Sequence, residues 1–134
     1  MLLSTFNPLL FLCLSKFLNQ VTGIDTVDDE SKHEDETIHN IDPIDWNMKK
    51  EPPYSYWIYY IWANLYQLNV LRKERNMTTF SFRPHSGESG SIIHLLSTYL
   101  CAESINHGIV LRKEPMLQYL YYLSQIGIAM SPLS

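Results

Sequence analysis

Cysteine and positive charge are both scarce in this chain of 134 residues, and each shortage closes off a class of function. The two cysteines, Cys13 and Cys101, lie far apart with no second Cys beside either, so neither a disulfide framework nor a Cys-based zinc site is indicated, and the reducing cytosol fits. Lys and Arg total 10 against 14 Asp and Glu, a formal charge of -4 with a pI near 5.6. Phosphate neutralisation needs clustered cations, so no nucleic-acid partner is expected. No stretch reaches the roughly 20 apolar residues of a membrane helix, so no membrane partner is expected either. The opening MLLSTFNPLLFLCL contains a short apolar run that could pass for a signal-peptide core. No Lys or Arg precedes that run, Pro8 interrupts it and Lys16 follows closely. It therefore reads as a buried or amphipathic segment, against a small secreted protein cleaved near Gly23.

What is present suffices for a core: 46% of residues are hydrophobic and 18% charged, fitting one domain or a piece of a larger one. Three parts are distinguished. Residues 1–23 form the apolar N-terminal segment. Residues 24–53 hold most of the acidic residues and little periodicity, and read as an exposed, partly disordered connection. In residues 54–134, Trp57, Ile58, Ile61, Trp62, Leu65, Leu68 and Leu71 recur at helical spacing, predicting a long helix that ends with Arg72, Lys73 and Arg75, where the dipole favours cations. Its tyrosines, from Tyr54 to Tyr66, could stack bases but are more often packing surface. Beyond it TTFSFR reads as a strand, PHSGESG as a turn and SIIHLLSTYLCAE as a helix. INHGIV follows as a strand, EPMLQYLYYLSQ as a helix opened by Pro115 and closed by Gly127, and IAMSP as a strand. That order implies an α/β fold with a parallel sheet and right-handed crossovers.

Reactive side chains in parallel α/β folds gather at the carboxyl ends of the strands. His85 and Glu88 follow the first strand, His107 lies in or just after the second, and Ser131 sits at the end of the third. An imidazole and a carboxylate three residues apart in a tight turn can face one small volume. A neutral imidazole there can ligate zinc, and a carboxylate held off the metal can exchange protons with substrate. His107, with an ordinary pKa near neutrality, could accept a proton from a metal-bound water. A histidine at a strand end is more often a hydrogen-bonded structural residue, and spacing alone does not decide between the two. His94, in mid-helix, reads as a surface or packing residue, and His33 and His39 as solvated members of the acidic segment.

RPHSGESG followed by INHG resembles the H-x-G-E and downstream S-H-G motifs of the adenosine and AMP deaminase superfamily of metal-dependent (β/α)8 barrels. FLNQVTGIDTVDDESK, PPYSYWIYYIWANLYQLNVLRKER and LRKEPMLQYLYYLSQIGIAMSPLS are similar to its AMP deaminase branch. This similarity covers residues 17–32 and 52–134, with residues 1–16 matching poorly. The resemblance implies a fragment of a (β/α)8 barrel, about three βα units preceded by a long helix. It makes His85 a zinc ligand, Glu88 the carboxylate that bonds and protonates purine N1, and His107 the histidine that takes a proton from the zinc-bound water. The implied reaction deaminates AMP to IMP and ammonia in purine nucleotide metabolism, with one zinc ion and a homo-oligomer in the full-length family. The family's paired histidines, its Lys-containing phosphate segment and its late Asp-Asp pair have no counterpart here. Catalytic zinc takes about three protein ligands, so the isolated chain is expected to be inactive. The alternative is a non-catalytic product that associates with full-length subunits.

Overall fold

The computed structural model describes residues 8–38 and 40–131. The expectations for residues 1–7 and for His39 lie outside them. Helix α1, Pro8–Leu18, starts on Pro8, whose missing N–H is tolerated in a first turn. Strand β1 is Gly23–Ile24, and helix α2 is Tyr54–Glu74. Strands β2, Ser81–Phe82, and β3, His85–Ser86, precede helix α3, Ile92–Cys101. Strand β4 is Ser104–His107, helix α4 is Pro115–Leu123 and strand β5 is Gly127–Ala129. Every strand pair is parallel: β1 with β2, β3 with β4 and β4 with β5. The α/β class and the alternation of helix and parallel strand thus match the expectation.

One expected strand is divided. TTFSFR continues through a buried Pro84, which has no N–H to give, and β2 and β3 pair with different neighbours. Backbone bonding nevertheless runs unbroken on both edges of residues 81–86. On one edge Ser81, Arg83 and His85 donate to Thr22, Ile24 and Thr26 at 3.0, 2.9 and 2.8 Å. On the other edge Glu103, Asn106 and Gly108 donate to Phe82, Pro84 and Ser86 at 3.2, 2.9 and 2.9 Å. The acidic segment therefore begins as a bonded strand edge.

Two apolar clusters carry the packing. Ile58 and Leu65 of α2 meet Phe80 and Phe82, with Leu18 and Ile24 against them. Leu95, Ile105, Val110, Leu111, Leu117 and Tyr121 form the second, between α3, β4 and α4. The apolar stripe of α2 is wider than its buried face, for Trp57, Leu68 and Leu71 are 48%, 41% and 47% exposed. Arg72, in the last turn of α2, is buried, with Nε donating to the Thr78 carbonyl and Nη2 to the Leu18 carbonyl at 3.3 Å, its guanidinium 4.0 Å over the Phe80 ring. Nor does Gly127 close α4. Gln125, at φ 54°, does so, with Gln125 N–H bonded to Tyr122 O and Ile126 N–H to Tyr121 O, while Gly127 opens β5.

Hydroxyls tie strand to helices inside the second cluster. Ser86 Oγ meets Thr98 Oγ1 at 2.8 Å, Thr98 meets the Tyr121 hydroxyl at 2.9 Å, and Tyr121 donates to the Leu95 carbonyl at 2.7 Å. Burial pushes the Tyr121 phenol up to about 12 from 10.0, because the tyrosinate is disfavoured away from water. The unfolded chain therefore ionises first. This contribution to stability is complete below pH 10 and is lost as pH rises towards 12, with Tyr54, raised by its own burial, acting in the same sense. Tyr121→Phe should cost about 1–3 kcal/mol at neutral pH by stripping partners from Leu95 and Thr98. It should also flatten the alkaline loss of stability, measured as melting temperature against pH. An alkaline profile unchanged by the substitution would contradict the buried, neutral phenol.

Candidate active site at the ends of two parallel strands

Parallel pairing sets the site. In the β3–β4 register His85 stands opposite Asn106 and Ser86 opposite His107. His85 was expected after its strand and is instead the first residue of β3, because Ser86 and His85 continue the bonding past Pro84. His107 is the last residue of β4. The two imidazole rings lie 4.9 Å apart between centroids, tilted by 54°. Glu88 stands in the turn that leaves β3 and brings Oε2 to 3.6 Å from His107 Nε2. His85, Glu88 and His107 thus line one small region. Strand β5 stops at Ala129, two residues short of Ser131.

The turn has little freedom. Gly87 and Gly90 both sit at φ +73°, where a side chain is strained. A Cβ on Gly87 would come within 2.7 Å of Leu95, and one on Gly90 within 2.0 Å of the Glu30 carbonyl oxygen. Glu88 is held between these two points and remains 44% exposed at its side chain.

His85 is oriented by a residue that sequence reading missed. Its Nδ1 lies 2.9 Å from Asp25 Oδ1, just past β1. A carboxylate on one ring nitrogen fixes the tautomer and leaves the other nitrogen as a lone-pair donor, the usual arrangement of a metal-ligating histidine. The chain thus fits one zinc ligand. Among the described residues no group of three or more His, Cys, Asp or Glu side chains is placed to hold a metal. His107 differs: its Nε2 faces Glu88, while its buried Nδ1 has no hydrogen-bond partner.

Glu30 is the second residue missed. It is 7% exposed and binds the backbone of the turn, inside a segment whose acidic run reads as solvated. The only advance signal for Asp25 is its place straight after the apolar GI of β1, and Glu30 has none. His94 proves to be a buried packing residue, stacked 4.1 Å from the Tyr54 ring. Its Nδ1 is 3.3 Å from Glu30 Oε2, and its Nε2 is 3.3 Å from Glu34 Oε1 but off the hydrogen-bonding line. A cavity of about 760 Å³ opens beyond Glu30, against Trp57 and Ile61 of α2. It touches none of His85, Glu88 and His107, so cavity size does not locate the chemistry.

Comparison with known proteins places this geometry. The family model described as AMP deaminase matches residues 1–134. AMP deaminase 3 of Rattus norvegicus is 55% identical over 133 residues, 98% of this chain and 17% of that protein. AMP deaminase 1 of Homo sapiens is 50% identical over 133 residues, 98% of this chain and 18% of that protein. An AMP deaminase of Arabidopsis thaliana is 58% identical over 122 residues, 90% of this chain and 14% of that protein. The chain therefore spans less than a fifth of the length of these relatives. The similarity takes in residues 1–16 and 33–51, which sequence reading left outside it.

With Asp25 on Nδ1, neutral His85 should carry its proton there. The ring ¹⁵N shifts of the full chain should report the Nδ1–H form, and Asp25→Leu should move them towards a tautomer mixture. An Nε2–H pattern in the unmodified chain would show that Asp25 does not orient the ring.

Proposed function

The chain belongs to the AMP deaminase family, and on that footing we propose that it carries one side of a zinc-dependent site that hydrolyses AMP to IMP and ammonia in purine nucleotide metabolism. The observation that carries this reading is the convergence of His85, Glu88 and His107 at the ends of β3 and β4, with Asp25 presetting His85. The runs of bonded parallel strand at residues 81–86 and 104–107 support placing it in a (β/α)8 barrel. Two unpaired cysteines support a cytosolic setting.

His85 would hold the zinc through Nε2. When bound, zinc supplies a Lewis acid that makes water nucleophilic at neutral pH. Glu88, in its protonated form, hydrogen-bonds purine N1 and delivers a proton to it as the bond to C6 forms, which lets the ring accept the electron pair. His107 Nε2 takes the proton released by the attacking water, and its contact with Glu88 keeps acid and base within one proton-transfer reach. The proton taken up by His107 passes to the C6 amino group, which leaves as ammonia, while the C6 hydroxyl gives its proton back to Glu88 and the carbonyl of IMP remains. Since the chain contributes one recognisable ligand, this reading assigns no turnover to the chain by itself. A second reading, a non-catalytic product that associates with full-length deaminase subunits, is favoured by the apolar face of α4, where Met116 and Tyr122 are 76% and 69% exposed.

Purified chain supplied with zinc should release no ammonia from AMP, and sustained release would overturn the one-ligand reading. In a deaminase with its full ligand set, replacing the residue at the His85 position with Ala should remove zinc and activity together. Glu88→Gln should keep zinc while turnover falls steeply. His107→Ala should also keep zinc, with a loss of about 10²–10⁴-fold. Near-normal turnover in Glu88→Gln, or loss of its zinc, would show the roles to be misassigned.

A further inference from the structure

Glu30 is an unusual carboxylate in this chain. Its acidic neighbours Asp28 and Asp29 are exposed, whereas its own side chain is 4% exposed. A carboxylate taken out of water needs several donors in return. Glu30 receives the Gly87 N–H on Oε2 at 2.7 Å, the Glu88 N–H on Oε1 at 3.3 Å, and His94 Nδ1 beside Oε2 at 3.3 Å. Two successive backbone N–H groups gripping one anion form a small nest, here filled by a side chain from a distant part of the same chain. Bonds of this kind are charge-assisted and stronger than neutral ones. The Glu30 backbone is seated as well, because its carbonyl oxygen lies where Gly90 would carry a Cβ.

These contacts bear on Glu88 directly. The amide that Glu30 grips belongs to the residue whose carboxylate faces His107, so fixing that amide fixes the root of the side chain. Glu88 is 44% exposed, and its carboxylate lies 3.6 Å from His107 Nε2, so the direction of the side chain depends on how its backbone is held. We propose that Glu30 is a positioning residue, whose carboxylate anchors the turn at residues 87–90 and thereby aims Glu88 at His107. The inference rests on Glu88 being the proton-delivering carboxylate of the site proposed above. His94 completes the arrangement from the α3 side, its Nδ1 at 3.3 Å from Glu30 Oε2 and its ring stacked on Tyr54.

The test uses the full chain, labelled with ¹⁵N, as wild type, Glu30→Gln and Glu88→Gln. Gln presents one acceptor and one donor group where the carboxylate presents two acceptors, so one of the two turn amides meets a donor. Amide exchange at Gly87 or Glu88 should accelerate by roughly 10- to 100-fold in Glu30→Gln. Exchange at Leu95 and Ile105 should stay close to wild type, because those amides report the core. Glu88→Gln supplies the signature of His107 losing its carboxylate neighbour, read from the ring ¹⁵N shifts. Glu30→Gln should move the His107 shifts towards that signature although Glu30 does not touch His107. A purely structural anchor for the acidic segment would speed the turn amides and leave His107 unmoved, and that result would overturn the proposal while sparing the role of Glu88. His107 shifts unchanged in Glu88→Gln itself would overturn both. Should Glu30→Gln collapse the amide dispersion, Glu30→Asp, which keeps the charge and shortens the reach by one methylene, replaces it with the same two readouts and the same criteria.

Discussion

The parallel register between β3 and β4 is the constraint on which the candidate site depends. Pairing sets which residues stand side by side, so a slip of one residue would take Ser86 from beside His107 and shift His107 against the turn that carries Glu88. The register is pinned from several directions. Ser86, fully buried, sits opposite His107 and is bonded through its hydroxyl to Thr98 of α3. Asn106 adds a side-chain bond to the Arg83 carbonyl at 3.0 Å, and Gly108 N–H returns to the Ser86 carbonyl. Past the strand, Val110 N–H reaches the Gly87 carbonyl at 2.8 Å and so ties the exit of β4 to the turn that carries Glu88. The chemistry-bearing residues are thus fixed mainly by backbone bonds, with side-chain packing behind them.

The acidic segment gives that backbone its electrostatic frame. Three of its carboxylates turn inward to different targets: Asp25 to His85, Glu30 to the turn amides, and Glu34 to the Tyr54 N–H at 2.7 Å. The last satisfies a free N–H in the first turn of α2, where Pro53 provides no side-chain cap and where negative charge is favoured by the helix dipole. Asp28 and Asp29 stay exposed. Asp35, hydrogen-bonded by Thr37 and paired with Lys50 at 3.0 Å, is held down at about 2.

Periodicity made the helices legible, since α2, α3 and α4 begin beside residues with clear start signals: Pro53, the Ser91 cap and Pro115. The motif residues were legible because a turn rich in Gly next to a strand restricts where His85 and Glu88 can go. What escaped was tertiary. Arg72 carries the same charge as Lys73, and no local pattern says that one turns inward to cap the Leu18 and Thr78 carbonyls. Gly127 looked like a helix stop, yet Gln125 adopts the left-handed conformation because the Ile126 N–H must reach the Tyr121 carbonyl as Ile126 packs into the second cluster. Glu30 was invisible for the strongest reason: in sequence it is one acid among several, and only a partner more than fifty residues away distinguishes it.

Backbone strain separates the site from the scaffold. Among the described residues three non-glycine residues have positive φ: Asn76, Gln125 and His107. The first two share one explanation, for each follows a helix by the same geometry. Asn76 N–H bonds Lys73 O and Met77 N–H bonds Arg72 O, as the corresponding amides do after α4. The left-handed residue there is what satisfies the last carbonyls of a helix, and the strain is offset locally. His107 ends a strand and caps nothing, yet stands at φ 78° with a buried Nδ1 that has no hydrogen-bond partner. Such a conformation costs on the order of 1–3 kcal/mol and persists only where the surroundings over-determine it. Here they do, through the Ser86 pairing before the residue and the Gly108 and Val110 amides after it. With extended backbone the ring would follow the strand's alternation and leave His85 and Glu88. The strained φ is therefore the local condition under which a strand-end histidine can face both.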